Sequence, residues 1–269
     1  MMHFFVKSIE SRSRSTYEEA AMLQHRVAAL DYVAGLYNAG RLGFHFRDSE
    51  GVTSYELHRC DNLLELDARL KSNPQWAYCN HQVIPVTKTG DMVRELTNYL
   101  KIDANEFFRK TLAQYREKEL LAGVTLEAIS KKVEANGGDF LALMSEDEQP
   151  IDEAGNYTLA AKTQTDVAST VSIDQLQDVW IRALRSQVIH LNSDIELVDY
   201  NPVGISQGLV IGRGDPEVIR RHIESTEIFP DTTVHYTPLR TSTQSGAATV
   251  ERLRTLKRNV PEVKFLRLS

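Results

Sequence analysis

Cysteine is scarce. Cys60 and Cys79 are the only two in 269 residues, and they form no C-x-x-C pair. That excludes a disulfide-built scaffold and the cysteine-based zinc and redox motifs. Both fall on segments that read as strands of one sheet, so a bridge between them stays open, with two reduced thiols the expectation. Long apolar runs are absent too, and nothing approaches the roughly 18 residues that cross a bilayer. Nor is there an excess of positive charge. Lys and Arg number 31 against 37 Asp and Glu, for a net charge of −6. A broad nucleic-acid surface needs clustered Lys and Arg, so no nucleic-acid partner is expected. The opening MMHFFVKSIESRSRS carries an apolar run too short for a signal peptide, with no small-residue cleavage site behind it. It reads as a first strand, and a cytoplasmic location is expected.

What is present is an ordinary globular composition, 42% apolar and 25% charged, enough for one large domain or two small ones. HFFVKSI (3–9) is a short apolar strand. Ser15 and Glu18 make an S-x-x-E signature that opens a helix ending near Asn38 and Gly40. LGFHFR (42–47) and VTSYELHRC (52–60) flank the polar turn DSEG and form a hairpin. Asp61 is placed to cap a helix carrying Leu63, Leu66 and Leu70, stopped by Asn73-Pro74. AYCNHQVIPV (77–86) closes the set, and a short helix follows to about Leu100. The order β-α-β-β-α-β is the ferredoxin-like plait.

Residues 101–150 break this order with two amphipathic helices and an acidic loop, SEDEQPIDEAGN. From Tyr157 the first pattern returns: strand 157–165, helix from Ser172, strands 195–200 and 206–214, a helix opened by Asp215-Pro216, and strand 232–240. RCDN (59–62) and RGDP (213–216) occupy the same place in the two halves. HQVIPVTKTGDMVREL and VHYTPLRTSTQSGAATVERL each run strand, proline, threonine-bearing loop, helix. These matches imply an internal duplication. The expected fold is therefore α+β, two ferredoxin-like units (1–100 and 151–269) separated by a helical insert (101–150).

The first hundred residues resemble the muconolactone isomerase family, on HFFVKSI, on YELHRC leading into DNLLELDARL, on NPQW, and on HQVIPV. The resemblance implies a dimeric α+β barrel, in which two sheets pack their open faces together, and assembly as a homo-oligomer. It also implies proton transfer within an unsaturated lactone without metal or organic cofactor. The matching motif is a packing motif, so it assigns no catalytic residue. The duplication and the insert depart from the family's single-domain pattern.

Strand parity supplies the candidate site. Phe4 and Val6 of strand one, Leu42, Phe44 and Phe46 of strand two, and Tyr55 and Leu57 of strand three are assigned to the helix-covered face. His3, Phe5 and Lys7, then Gly43, His45 and Arg47, then Ser54, Glu56, His58 and Cys60 would face the barrel. In strand four either Cys79, His81 and Val83 or Tyr78, Asn80 and Gln82 point inward. Glu56, His58 and His45 are the expected acid–base residues. Arg47, Lys7, His3 and His81 are expected to bind a small substrate, a carboxylate or lactone. Glu56-x-His58 is compatible with a metal, but no spacing is diagnostic, and no metal or cofactor is expected.

The second half is poorer in such groups: Val210 stands where Glu56 does and Gly212 where His58 does. Its G-x-G at 212–214 reads better as a turn before a capped helix than as a phosphate loop. His190 and His222 are expected on the surface. Against the isomerase reading stand a cofactor-independent monooxygenase of the same barrel, a haem enzyme, and a non-catalytic binding or assembly protein.

Overall fold

The computed structural model describes residues 1–13, 15–118, 126–144, 151–164, 197–202, 207–226 and 232–260. The first half runs β1 (Met2–Glu10), α1 (Thr16–Asn38), β2 (Leu42–Asp48), β3 (Thr53–Cys60), α2 (Leu63–Ser72), a 3-10 turn (Trp76–Tyr78) and β4 (Cys79–Lys88). Its strands lie in the order β4-β1-β3-β2, antiparallel throughout. The Ser15 hydroxyl accepts the Glu18 amide at 3.2 Å and starts α1. At the hairpin turn the Asp48 carboxylate accepts the amides of Val52 and Thr53 at 2.8 and 3.1 Å. Gly51 supplies the positive φ of 73° that this turn requires. The cap of α2 falls one residue later than expected. Asn62 Oδ1 accepts the Glu65 amide at 3.0 Å, while the Asp61 amide donates to Glu65 Oε2 at 2.8 Å. Glu65 thus ties down both residues before the helix, and Asp61 contributes its backbone rather than its side chain.

Next come α3 (Thr89–Leu100), α4 (Ala104–Lys118), α5 (Leu126–Ala135) and a short α6 (Phe140–Met144) that sequence periodicity did not anticipate. Val93, Phe108, Ile129, Val133 and Phe140 form their shared core. Phe108 and Phe140 stack with centroids 4.9 Å apart. The second half runs β5 (Tyr157–Gln164), β6 (Leu197–Pro202), β7 (Gln207–Arg213), α7 (Pro216–Thr226), β8 (Thr232–Thr241) and α8 (Ser242–Asn259). Its strand order, β8-β5-β7-β6, repeats that of the first half. Asp215 caps α7 through the Glu217 and Val218 amides at 2.8 and 3.4 Å. The helix expected from Ser172, the acidic run 145–150 and His190 lie outside the described residues.

By contacts the chain forms two compact units. The first contains Met1–Val86, Pro150–Asn156 and Pro238–Ser269, and the second Thr87–Gln149 and Tyr157–Thr237. In the first unit, Phe4, Val6, Cys60, Leu66 and Leu70 make one apolar cluster, and Ala20 and Leu23 pack on Leu256 of α8 in another. A fully buried Leu or Phe side chain contributes roughly 1.5–3 kcal/mol, so these clusters hold α2 to the sheet and α1 to α8. The end of β8 pairs with β2, Leu239 opposite Asp48 and Thr241 opposite Phe46.

The register corrects the strand parity for two strands. Val6 lies opposite Glu56 and Phe4 opposite His58, and directly opposed residues share a face. Phe4, Val6 and Cys60 pack on α2, so Glu56, His58 and Ser54 lie on the helix-covered face, not the other one. His45, opposite Glu56, and Arg47, opposite Ser54, lie there too. The cause in β2 is a bulge between Leu42 and Phe44, where Leu42 pairs with His58 but Phe44 pairs with Leu57. The alternation of Leu42, Phe44 and Phe46 breaks at that point. The opposite face holds Phe5, Phe44, Phe46, Tyr55 and Leu57. Their rings touch, with Phe5–Phe44 at 6.3 Å and Phe5–Tyr55 at 6.1 Å. The assignment of β1 agrees: Phe4 and Val6 lie under helices, and His3 and Lys7 on the opposite face.

Candidate functional site

A cluster of imidazoles around one carboxylate sits in the helix–sheet layer of the first unit. Glu56, in mid-β3, is 4% exposed and its neighbour His58 1%. His58 Nε2 donates to Glu56 Oε2 at 2.7 Å, and the Ser54 hydroxyl donates to Oε1 at 3.2 Å. His45, brought alongside by the β2–β3 pairing, places Nε2 3.9 Å from Oε1. On its other side, His45 Nδ1 lies 2.8 Å from the Oγ of Ser242, the first residue of α8. His81 of β4 belongs to the same face, opposite Ser8. Its Nδ1 lies 2.8 Å from Ser8 Oγ, and its ring stacks on Trp76 at 4.4 Å. His58 Nδ1 is buried without a hydrogen-bond partner. An unpaired polar atom in such a place is costly.

The electrostatics separate the groups. Burial pulls Glu56 upward, but the hydrogen bond from His58 and the positive charge around it prevail and hold its pKa at about 2. Burial lowers His45 to about 4, against the opposing pull of Glu56. Burial likewise lowers His81. At neutral pH Glu56 is therefore ionised and His45 neutral, so the 3.9 Å approach is not an ion pair. A carboxylate and a neutral imidazole side by side can relay a proton, each here a weaker base than its ordinary form.

Arg47 is placed differently from its expected use. It is 2% exposed and donates to Glu10 Oε1 at 2.5 Å, to the Gly51 carbonyl at 3.0 Å and to Gln75 Oε1 at 2.5 Å. Arg26 of α1 also binds Glu10, and Gln75 Nε2 donates to Glu10 Oε1 at 2.8 Å. The arginine expected to hold a substrate carboxylate thus holds one of the protein's own. Burial would raise Glu10, but Arg47 and Arg26 bring it below its ordinary value. His3 and Lys7, on the opposite face, are not brought to this cluster.

Sequence reasoning missed Ser242, Ser8, Trp76 and the Glu10–Arg26–Gln75 set. For Ser242 a signal was available. Thr241-x-x-Gln244 is a capping-box signature directly after a strand, and both of its hydrogen bonds form. Cys60 and Cys79 are free thiols, and burial raises both. His222 is half-buried rather than on the surface, and burial lowers it. Among the described residues no group of three His, Cys, Asp or Glu is arranged to hold a metal ion. Among them, too, no helix is long and apolar enough to cross a membrane.

The fold is of the ferredoxin-like α+β class, and its likeness among solved structures is to chlorite dismutases. A mutant chlorite dismutase from Candidatus Nitrospira defluvii matches with TM-score 0.52 at 6% identity, over 92% of this chain and 95% of that one. A second mutant of that enzyme gives 0.51 at 5%, over 92% and 94%. The same enzyme in complex with imidazole gives 0.50 at 7%, over 92% and 94%. At such identities the likeness establishes the fold alone. No family model matches the chain, that of muconolactone isomerase included, and no curated protein does.

Proposed function

We propose that this protein is a small-molecule enzyme that moves a proton on an unsaturated lactone or related carboxylate. Glu56 takes the proton, and His58 and His45 hold Glu56 and pass the proton on. One observation carries the reading: a carboxylate buried to 4% exposure is kept ionised by an imidazole at 2.7 Å whose other nitrogen has no partner. Burying such a pair costs several kcal/mol relative to apolar packing unless every group is satisfied. Here one group is left unsatisfied, which suits a site that receives a ligand. Ser242 and His81 are the half-buried members of the cluster, and His81, whose Nε2 has no hydrogen-bond partner, is the substrate-binding member of this reading. Arg47, engaged with Glu10, takes a structural part, and His3 and Lys7 take none.

Incubation with an unsaturated γ-lactone in D2O tests the reading by NMR. The wild type incorporates deuterium next to the carbonyl, and Glu56→Gln slows this by about 100-fold or more. Equal exchange in the two proteins would refute it. Assembly as a homo-oligomer belongs to the same reading and is checked by light scattering.

A second reading takes chlorite as substrate, after the solved structures matched over 92% of the chain. The three imidazoles of the cluster do not suit a haem. His58 faces Glu56, His45 is held at Ser242, and His81 lies flat on Trp76. A Soret band on adding haem, with oxygen release from chlorite, would favour this second reading over the first.

A further inference from the structure

Ser242 has no part in proton transfer on a lactone, yet its placement is that of a nucleophile. It is the first residue of α8, with Thr241 as cap. The residue is half-buried and its hydroxyl lies 2.8 Å from His45 Nδ1. The far nitrogen of that imidazole lies 3.9 Å from Glu56 Oε1. The order hydroxyl, imidazole, carboxylate is the arrangement that activates a serine.

The first turn of α8 also presents an amide. The Thr243 N–H donates to Glu153 Oε2 at 2.9 Å. Glu153 is held over the turn by its own carbonyl, which accepts from Thr241 Oγ at 2.8 Å, and the Gly155 carbonyl accepts from Gln244 Nε2 at 3.1 Å. A negatively charged oxygen thus already occupies the donor that lies beside the hydroxyl. An oxyanion forming on a carbonyl attacked by Ser242 would use the same donor.

We infer that Ser242, His45 and Glu56 form an acyl-transfer triad that opens lactones or simple esters, with Glu153 covering the oxyanion position in the resting protein. In the first step Ser242 Oγ bonds to the carbonyl carbon and its proton passes to His45 Nδ1. The ring C–O bond breaks, and His45 returns the proton to the departing alkoxide. In the second step water attacks the acyl-serine and gives a proton to His45; the acyl C–Oγ bond then breaks, His45 passes the proton to Ser242 Oγ, and the hydroxy acid leaves. The balance is lactone plus water to hydroxy acid, with no oxidant or cofactor. Glu56 faces Nε2 and stabilises the imidazolium while it lasts. Around His45 stand Glu56, Arg47, Glu153 and His58.

The inference rests on reading the cluster as an acid–base centre, and the test separates the two. Purified protein is treated with diisopropyl fluorophosphate and followed by intact mass and peptide mapping, with melting temperature recorded for each variant. The expected result is one adduct, on Ser242, absent in Ser242→Ala at an unchanged melting temperature. His45→Gln should slow labelling at least 100-fold. Glu153→Gln should label several-fold faster than the wild type, because the Thr243 amide is freed. A wild type that gains no adduct on Ser242, or a Ser242→Ala that labels like the wild type, overturns the triad. Deuterium exchange in Glu56→Gln then still decides the proton-transfer reading independently. A Glu153→Gln rate at or below that of the wild type overturns the covering role of Glu153.

Discussion

The helix–sheet layers of the two units solve the same packing problem with opposite chemistry. In the first unit, the β3 positions facing the helices carry Glu56 and His58, joined by His45 from β2. In the second, the matching positions of β7 carry Val210 and Gly212. Val210 packs with Ala160, Ile219 and Ile223, and half-buried Val234 and Tyr236 lie against them. Where His58 stands in the first unit, Ile219 fills the space of the second: a Cβ on Gly212 would meet its side chain at 2.9 Å. Both layers use the same strand order, so this architecture does not need the polar version to fold. The second layer keeps a buried hydroxyl, that of Thr158 opposite Gly212, and what distinguishes the first is its carboxylate–imidazole cluster.

The strongest way to break this comparison is to make the first layer like the second. Glu56→Val with His58→Leu should reduce deuterium exchange on the lactone to background, a loss of about 100-fold or more. Stability in urea should hold or rise, since replacing a buried pair by apolar residues is often neutral or stabilising by about 1–4 kcal/mol. His58→Ala alone should do the reverse. It strands an ionised Glu56 and should cost about 3–5 kcal/mol in a urea titration.

Acidification sharpens the contrast next. His45 titrates near 4 in the folded protein and near 6.5 unfolded. Between those values the unfolded chain binds a proton that the folded one refuses, so stability falls as pH falls through that window, by at most about 3 kcal/mol. Glu56, held at about 2, extends the loss from its ordinary carboxylate range downward. Melting temperatures at pH 7 and pH 5 should therefore differ, and His45→Gln should shrink the difference. The smallest effect lies in the second layer. Gly212→Ala should cost about 1–3 kcal/mol by overpacking, with much of it recovered by adding Ile219→Val, as thermal melts would show.

The strand order and its repeat in the second half were legible in sequence, though α6 was not, because caps and turns are local: Ser15, Asp48-to-Gly51, Asp215-Pro216 and Gly137-Gly138 all stand where the chain changes course. Which four of the expected residues come together was legible in part, since His3 and Lys7, expected beside them, lie on the other face. Glu56, His58, His45 and His81 do share a face. Which face it is was not legible, for two physical reasons. Both faces of β3 are apolar enough to be buried, so Tyr55 and Leu57 looked as suited to the helices as Cys60 does in fact. The bulge at Gly43 also reverses parity within β2, and a Cβ there would stand 2.7 Å from Leu57. An isolated glycine inside a strand pattern was the available warning. Long-range partners such as Ser242 at His45, or Glu10 at Arg47, follow from tertiary packing that no local pattern encodes.

The flat contact between Trp76 and His81, 4.4 Å apart and 8° from parallel, has an optical consequence. Tryptophan occurs only twice in the chain, and an excited indole loses its emission to a protonated imidazole lying against it. Since burial lowers His81, that dimming should begin only below the usual imidazole range. Any solute that displaces the ring should brighten the signal at neutral pH or shift its colour. The molecule thus carries a built-in fluorescent gauge of events at the margin of the cluster, readable without a label.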